Sequence, residues 1–338
     1  MCSYQTENVT FSFVVPVYNE EHVLAEFHRR LTAVAEGLGG TYEIVFVNDG
    51  SRDGSAEILA GLADRDSHVR IVELSRNFGH QVAVTAGYDY AGGRAVISLD
   101  ADCQHPPETI PELVARWREG CEVVYTIREG TAGISLPRRA IGRLVYRAIR
   151  LISGVDLTDQ ADFRLIDRKA VRALRTTREH ARFVRGLVRW IGFKQVAVPY
   201  KAERRAAGRS SYTLRQLAAM AGAGMFNFSL RPLRLAGALG AIMLAVAVVY
   251  AVVAVVLGAF GAGPSPWLHV TAAVGGLFGL QFVLLGVLGE YVGRIFEEAK
   301  ARPLYIVRGT VGFEPEDAAA EAPPSAPDVR GPGPAVFT

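Results

Sequence analysis

Phe11-Ser-Phe-Val-Val-Pro-Val17 and Ile44-Val-Phe-Val47, with a helical stretch from about Glu21 to Leu38 between them, decide how this chain begins to fold. Both runs are short, apolar and rich in β-branched residues, so strand, helix and strand in that order predict a parallel βαβ unit. Ala56 to Asp64, Val69 to Leu74, Gln81 to Tyr90 and Ala95 to Leu99 continue the alternation. The expected fold class is therefore α/β, a doubly wound open sheet, in which ligands bind beyond the carboxyl ends of the strands. The polar residues at those ends are Pro16-Val-Tyr-Asn-Glu20, Asn48-Asp-Gly-Ser51, Ser75-Arg-Asn-Phe78 and Asp100-Ala-Asp102.

The second half of the 338 residues reads differently. Between 233 and 289 the only charged residue is Arg234. Leu235 to Phe260 and Leu268 to Gly289 are uncharged runs of about 26 and 22 residues, against roughly 20 needed to span a bilayer. A buried hairpin of a soluble protein is the alternative, but such helices rarely avoid charge for so long. The linker Gly261 to Trp267 is uncharged, whereas Arg231, Arg234, Arg294, Lys300 and Arg302 flank the outer ends, which predicts cytoplasmic termini. The opening residues lack a signal-peptide core, so the large domain is expected in the cytoplasm, on the inner membrane.

The expected plan is an α/β domain over 1–210, an amphipathic interfacial helix over 211–232 and two spans within 233–293. A short cytoplasmic segment over 294–312 and a disordered Pro- and Ala-rich tail over 313–338 complete it. Three cysteines, Cys2, Cys103 and Cys121, lack metal-ligand spacing and suit free thiols in a reducing compartment. The net charge is only +3. Its basic blocks, Arg138 to Arg150, Arg182 to Arg189 and Lys201 to Arg215, suit membrane lipids and phosphate-bearing substrates; no nucleic-acid partner is expected.

Asp100-Ala-Asp102 places two carboxylates after an apolar run. Alternate residues of an extended chain lie on one side, so both acids can hold one hard divalent cation, Mg²⁺ or Mn²⁺. Such an ion offsets the charge that builds on a departing diphosphate. Asp-x-Asp also occurs in solvated turns, so the surrounding residues decide.

Those residues are Pro16-Val-Tyr-Asn-Glu20, Asn48-Asp-Gly-Ser-Arg-Asp-Gly54, Ser75-Arg-Asn-Phe-Gly-His-Gln81, Asp100-Ala-Asp-Cys-Gln-His-Pro-Pro107, Asp162-Phe-Arg-Leu165 and Gly289-Glu-Tyr-Val-Gly-Arg294. With them the chain, from about Phe11 to Arg308, resembles the family 2 glycosyltransferases. Within these it resembles the polyisoprenyl-phosphate glycosyltransferases, such as dolichol-phosphate mannose synthases and bactoprenol glucosyltransferases. The resemblance implies a GT-A type nucleotide-diphospho-sugar-binding domain and inverting transfer from a nucleotide-sugar, UDP-glucose by closeness to the bactoprenol enzymes, to a polyisoprenyl phosphate such as undecaprenyl phosphate. It leaves room for a homo-oligomer.

Carried over residue by residue, the resemblance implies that Pro16, Tyr18, Glu20, Val47 and Asp49 embrace base and ribose, with Ala101 and Arg205 also on the donor. Asp100, Asp102 and Gln104 would hold metal and diphosphate, and Asp102 and Asp162 are the catalytic candidates. Relatives usually carry Asp-Asp where this chain has Asn48-Asp49, and often Lys where it has Ser211. Arg139, Arg143 and Arg209 are candidate phosphate clamps, because guanidinium forks match phosphate oxygens. Asp162 is implied as a base, yet a lipid phosphate has its second pKa near 6 and needs little deprotonation, so positioning the acceptor or pairing with Arg164 stay open. His80 and His105 read as structural. Two rival functions are a processive polysaccharide synthase and a non-catalytic nucleotide-sugar-binding protein. The first is disfavoured by Gly186-Leu-Val-Arg-Trp190 in place of Gln-x-x-Arg-Trp and by a single hairpin, the second by the intact aspartate pair.

Overall fold

The computed structural model describes residues 9–128, 160–180, 182–200, 231–259 and 266–313. The expected interfacial helix, the linker between the spans and the tail lie almost wholly outside them. The strands are β1 Phe11–Val17, β2 Tyr42–Asn48, β3 Val69–Leu74, β4 Ala95–Ser98, β5 Val123–Arg128, β6 Gln160–Asp167, β7 Gln195–Tyr200 and β8 Val307–Val311. The helices are α1 Leu24–Gly37, α2 Ser55–Ala63, α3 His80–Tyr90, α4 Ile110–Arg118, α5 Arg168–Thr176, α6 Val184–Trp190, α7 Arg231–Ala259 and α8 Pro266–Ala299.

The strands form one sheet in the order β7-β5-β6-β4-β1-β2-β3-β8. Its centre, β3-β2-β1-β4, is parallel, as βαβ crossovers require. β6 and β8 run antiparallel to their neighbours, so the sheet is mixed rather than wholly parallel. Because β1 and β2 are buried on both faces they read as continuous apolar runs, not as an alternation. One face packs Phe11, Phe13, Val15, Ile44 and Phe46 against Leu24, Phe27 and Leu31 of α1, Leu59 of α2 and Leu113 of α4. The other packs Val45, Val47, Val72 and Leu74 against Ala83 and Ala86 of α3. α3 lies so close to β1 that a Cβ on Gly87 would fall 2.1 Å from Val14 Cγ1.

The chain divides into two compact units. The sheet unit takes in the described residues up to Tyr200 and again from Ala301, so the 294–312 segment supplies its edge strand β8. The other unit holds α7 and α8, which pack on each other; a Cβ on Gly240 would sit 3.2 Å from Leu284 Cδ1. Ala236–Val253 and His269–Ala299 are long and apolar enough to cross a membrane, with 6% and none of their residues buried. Glu290 to Ala301, which the sequence alone reads as a short cytoplasmic helix of its own, instead continues α8 without a break as far as Ala299. No proline interrupts it, and Arg294 bridges back to Glu290 at i,i+4.

Candidate active site

The carboxyl ends of β1 and β2 are laced together by their own turn residues. The backbone N–H groups of Asn19, Glu20 and Glu21 donate to Ser51 Oγ, Ser55 Oγ and Asp53 Oδ2. In return, Asn19 Oδ1 accepts from the N–H of Arg52 and Glu21 Oε2 from that of Gly54. Asn48 is buried, and its Oδ1 accepts from the N–H of Ser51 at 3.0 Å. That turn needs only an acceptor oxygen, which Asn supplies as well as Asp does. Tyr18 presents a ring that is 43% exposed at this rim. Pro16, Val47 and Ala101 are buried, so their backbone is what can face a ligand there.

Asp49 is buried and grips the next turn, accepting from the N–H of Phe78 at 2.7 Å and of Gly79 at 2.9 Å. Burial raises its pKa against those hydrogen bonds, which work the other way. Gly50 makes this approach feasible: its φ is +66°, and a Cβ there would lie 2.6 Å from the carbonyl carbon of Arg76. Asp49, implied by the resemblance as a base or ribose contact, also uses one acceptor site on each oxygen to hold the turn that leads into α3.

Beyond β4, Asp100 stands partly exposed and Asp102 is buried. Asp102 Oδ1 accepts from the N–H of Gln104 at 3.0 Å, across a turn in which Cys103 has a φ of +59°. Asp100 Oδ2 lies 3.5 Å from His105 Nδ1. His105 stacks on Phe163 with centroids 5.5 Å apart and meets Tyr200 edge-on, an aromatic floor beneath the aspartate turn. Burial of Tyr200 beside this acidic turn pushes its pKa up to about 12. Among the described residues, no three His, Cys, Asp or Glu side chains gather as a ready metal site. Two carboxylates and an amide on one turn do suit an oxygen-seeking ion of the Mg²⁺ type, which takes one or two carboxylates and completes its shell with substrate phosphates and water. The residues present fit such an ion.

The antiparallel register Ser98↔Arg164 carries Asp162, two residues further along, to the level of Asp100. Asp162 Oδ1 accepts from Arg164 Nη2 at 2.8 Å and Arg185 Nε at 2.9 Å, and Oδ2 from Arg185 Nη2 at 2.7 Å. His80 Nε2 stands between the two acids, 3.5 Å from Asp162 Oδ2 and 3.6 Å from Asp100 Oδ1. Burial favours protonation of Asp162, yet the Arg185 charge, the His80 and Arg185 hydrogen bonds and Arg164 overcome it and hold its pKa well below the usual range. Burial likewise opposes charge on His80, but the Asp162 hydrogen bond and the charges of Asp100 and Asp162 raise its pKa to about 9. At neutral pH the cluster holds an ionised Asp162 and three cations. Gln81 Oε1 accepts from the N–H of Val184 at 3.0 Å, tying the start of α3 to the start of α6, where Arg185 sits.

The fold thus brings Tyr18, Glu20, Asp49, Asp100, Asp102, Gln104 and Asp162 to one edge of the sheet. Arg139, Arg143, Arg205 and Arg209 lie outside the described residues. Sequence reasoning missed Arg185, hidden in a basic block, and read His80 and His105 as structural; both stand within 3.6 Å of Asp100. The position of His80 directly after Gly79, at the mouth of a helix, was the available signal. Cys103 and Cys121 are buried free thiols.

The family model described as "Glycosyl transferase family 2" matches residues 12–175. "Uncharacterized glycosyltransferase YkcC" of Bacillus subtilis is 42% identical, over 91% of this chain and 96% of its own length. "Prophage bactoprenol glucosyl transferase homolog" of Escherichia coli is 33% identical over 88% and 98%. "Undecaprenyl-phosphate 4-deoxy-4-formamido-L-arabinose transferase" of Enterobacter is 36% identical over 89% and 93%.

Proposed function

Because this chain belongs to glycosyl transferase family 2, we propose that it moves a sugar from a nucleotide-sugar to the phosphate of a polyisoprenyl lipid at the cytoplasmic face of the inner membrane. The bactoprenol and undecaprenyl-phosphate relatives differ in the sugar that their names carry and agree on a polyisoprenyl acceptor. Undecaprenyl phosphate is accordingly the acceptor of choice and UDP-glucose the first donor to test. The apolar surfaces of α7 and α8 suit two spans that hold the enzyme where such a lipid resides.

The observation that carries the chemistry is the cluster around Asp162, set level with the Asp100–Asp102 turn. Asp162, with its pKa held down by two arginines and a histidine, is a poor proton acceptor. A lipid phosphate is largely dianionic at neutral pH and does not need one. Asp162 therefore holds Arg185 and His80 in place, and these cations orient the acceptor oxygen toward the anomeric carbon, opposite the leaving nucleoside diphosphate. Asp100, Asp102 and Gln104 would hold Mg²⁺ or Mn²⁺, which offsets charge on the departing diphosphate. Tyr18, Glu20 and the Asp49 turn line the place for the nucleoside, and attack from the opposite face inverts the anomeric centre in one step. Orientation and electrostatics supply the acceleration.

A panel of radiolabelled nucleotide-sugars given to the purified full chain with undecaprenyl phosphate tests this. One labelled lipid product, formed in a single addition, is expected. Labelled polymer would instead indicate a processive synthase, and binding without any product a non-catalytic protein.

A further inference from the structure

The segment following α8 returns to the sheet and locks onto the helix that opens at the site. β8 pairs antiparallel with β3, matching Ile71 to Val311 and Leu74 to Val307. The ladder continues past the strand, where the N–H of Ser75 donates to the carbonyl of Ile306 at 2.8 Å. Ser75 begins the turn whose far end, Phe78 and Gly79, is gripped by Asp49. One turn is thus held from both sides.

The same segment takes hold of the other end of α3. Tyr305 Oη donates to Asp89 Oδ2 at 2.9 Å, and Arg178 Nη1 donates to the same oxygen at 2.7 Å. Asp89 is buried in the last turn of α3, where the helix dipole disfavours an anion, so these donors offset a cost intrinsic to its position. Phe313 packs edge-on against Tyr90 at 5.1 Å, and Tyr305, Val307 and Phe313 cover the core face beneath α3. The first two residues of α3 are His80, which contacts Asp100 and Asp162, and Gln81, which holds α6.

We propose that Tyr305 and β8 form a clasp that positions the active site through the Ser75–Gly79 turn on the donor side and through α3 on the acceptor side, with Tyr305 a positioning residue that touches no substrate. The donor and acceptor assignments rest on the function proposed above. On this reading the catalytic sheet is incomplete without residues that follow both apolar helices.

The test is amide hydrogen exchange on the full chain in detergent, comparing wild type, Tyr305→Phe and Tyr305→Ala, alongside transfer kinetics. Tyr305→Phe removes only the hydroxyl bonded to Asp89, and it keeps the test decisive even where the alanine variant fails to fold. Exchange at residues 76–83 should rise roughly fivefold, the scale of one net hydrogen bond, while α1 keeps wild-type protection. The KM for the nucleotide-sugar should rise by a similar factor, and so should that for lipid phosphate, whose oxygen His80 and Arg185 orient; Tyr305→Ala should exceed Tyr305→Phe in both. Unchanged exchange at 76–83 overturns the clasp. Faster exchange spread equally over α1, or a donor KM that stays at the wild-type value, overturns its positioning role. Failure of the wild type to transfer sugar to any lipid would count against the function and leave exchange to decide the clasp.

Discussion

An aspartate that accepts three hydrogen bonds from two arginines, with a histidine at 3.5 Å, cannot behave as an ordinary carboxylate. Removing its charge takes a counterion from the buried Arg164 and the partly buried Arg185, a change that costs about 3–5 kcal/mol in fully buried pairs and less where one partner is partly exposed. Asp162→Asn should therefore lower unfolding stability on that scale at pH 7. A depressed folded pKa contributes stability that is complete above the unfolded value, about 3.9, and is lost as pH falls through the folded one. Denaturation of wild type and Asp162→Asn across pH should show a gap that is wide at neutrality and closes in strong acid. In kinetics, Asp162→Asn should chiefly weaken use of lipid phosphate while nucleotide-sugar binding and its slow hydrolysis persist. An unchanged apparent lipid affinity with collapsed turnover would favour a base instead. Asp102→Ala should abolish transfer with the fold intact, since the sheet lies behind that turn; normal turnover of the variant in EDTA would sink the metal assignment.

At the scale of elements, the site depends on turns whose geometry the chain spells out. Gly50 combines a left-handed backbone with contact to the backbone at Arg76 and Asn77, so Gly50→Ala should cost at least about 2 kcal/mol. A thermal melt and a donor KM measured together would check this, since displacement of the Asp49 turn should raise KM as well as lower Tm. The parallel centre of the sheet was legible because β1 to β4 are mainly apolar, β-branched segments separated by helices of ordinary length. β6 was not legible as a strand: Asp162, Arg164 and Asp167 interrupt its pattern, the first two because they build the site and the third because it caps α5 and accepts from Trp117 Nε1. β8 escaped because its partner β3 lies more than two hundred residues earlier, beyond the reach of any local pattern. Asp100, Asp102 and Asp162 could be named from motif and strand end. Their surroundings could not, because His80 and Arg185 meet them only through the packing of α3 and α6.

For the molecule as a whole, the proposed arrangement places the Gly261 to Trp267 linker outside the cell and both chain ends inside. Ser265→Cys should react with an impermeant thiol reagent applied to intact cells, and Ser325→Cys should not. The reverse labelling would put the catalytic sheet on the wrong side for a cytoplasmic nucleotide-sugar. Charge distribution made this reading accessible from sequence, since runs without a single charge leave few alternatives. The return of the chain to its own first domain left no such mark.

That return has a consequence for how the protein is made. Synthesis delivers β1 to β7 first, then α7 and α8, and only afterwards the residues that pair with β3. While the apolar helices are being translated, β3 presents an open edge of unpaired N–H and C=O groups, the kind of surface that recruits stray strands. The sheet closes only when Val307 to Val311 leave the ribosome, so the nascent enzyme reaches its finished form after its apolar helices have been made. A ribosome stalled before residue 313 should hold a chain that is more sensitive to protease near β3 than one stalled well beyond it.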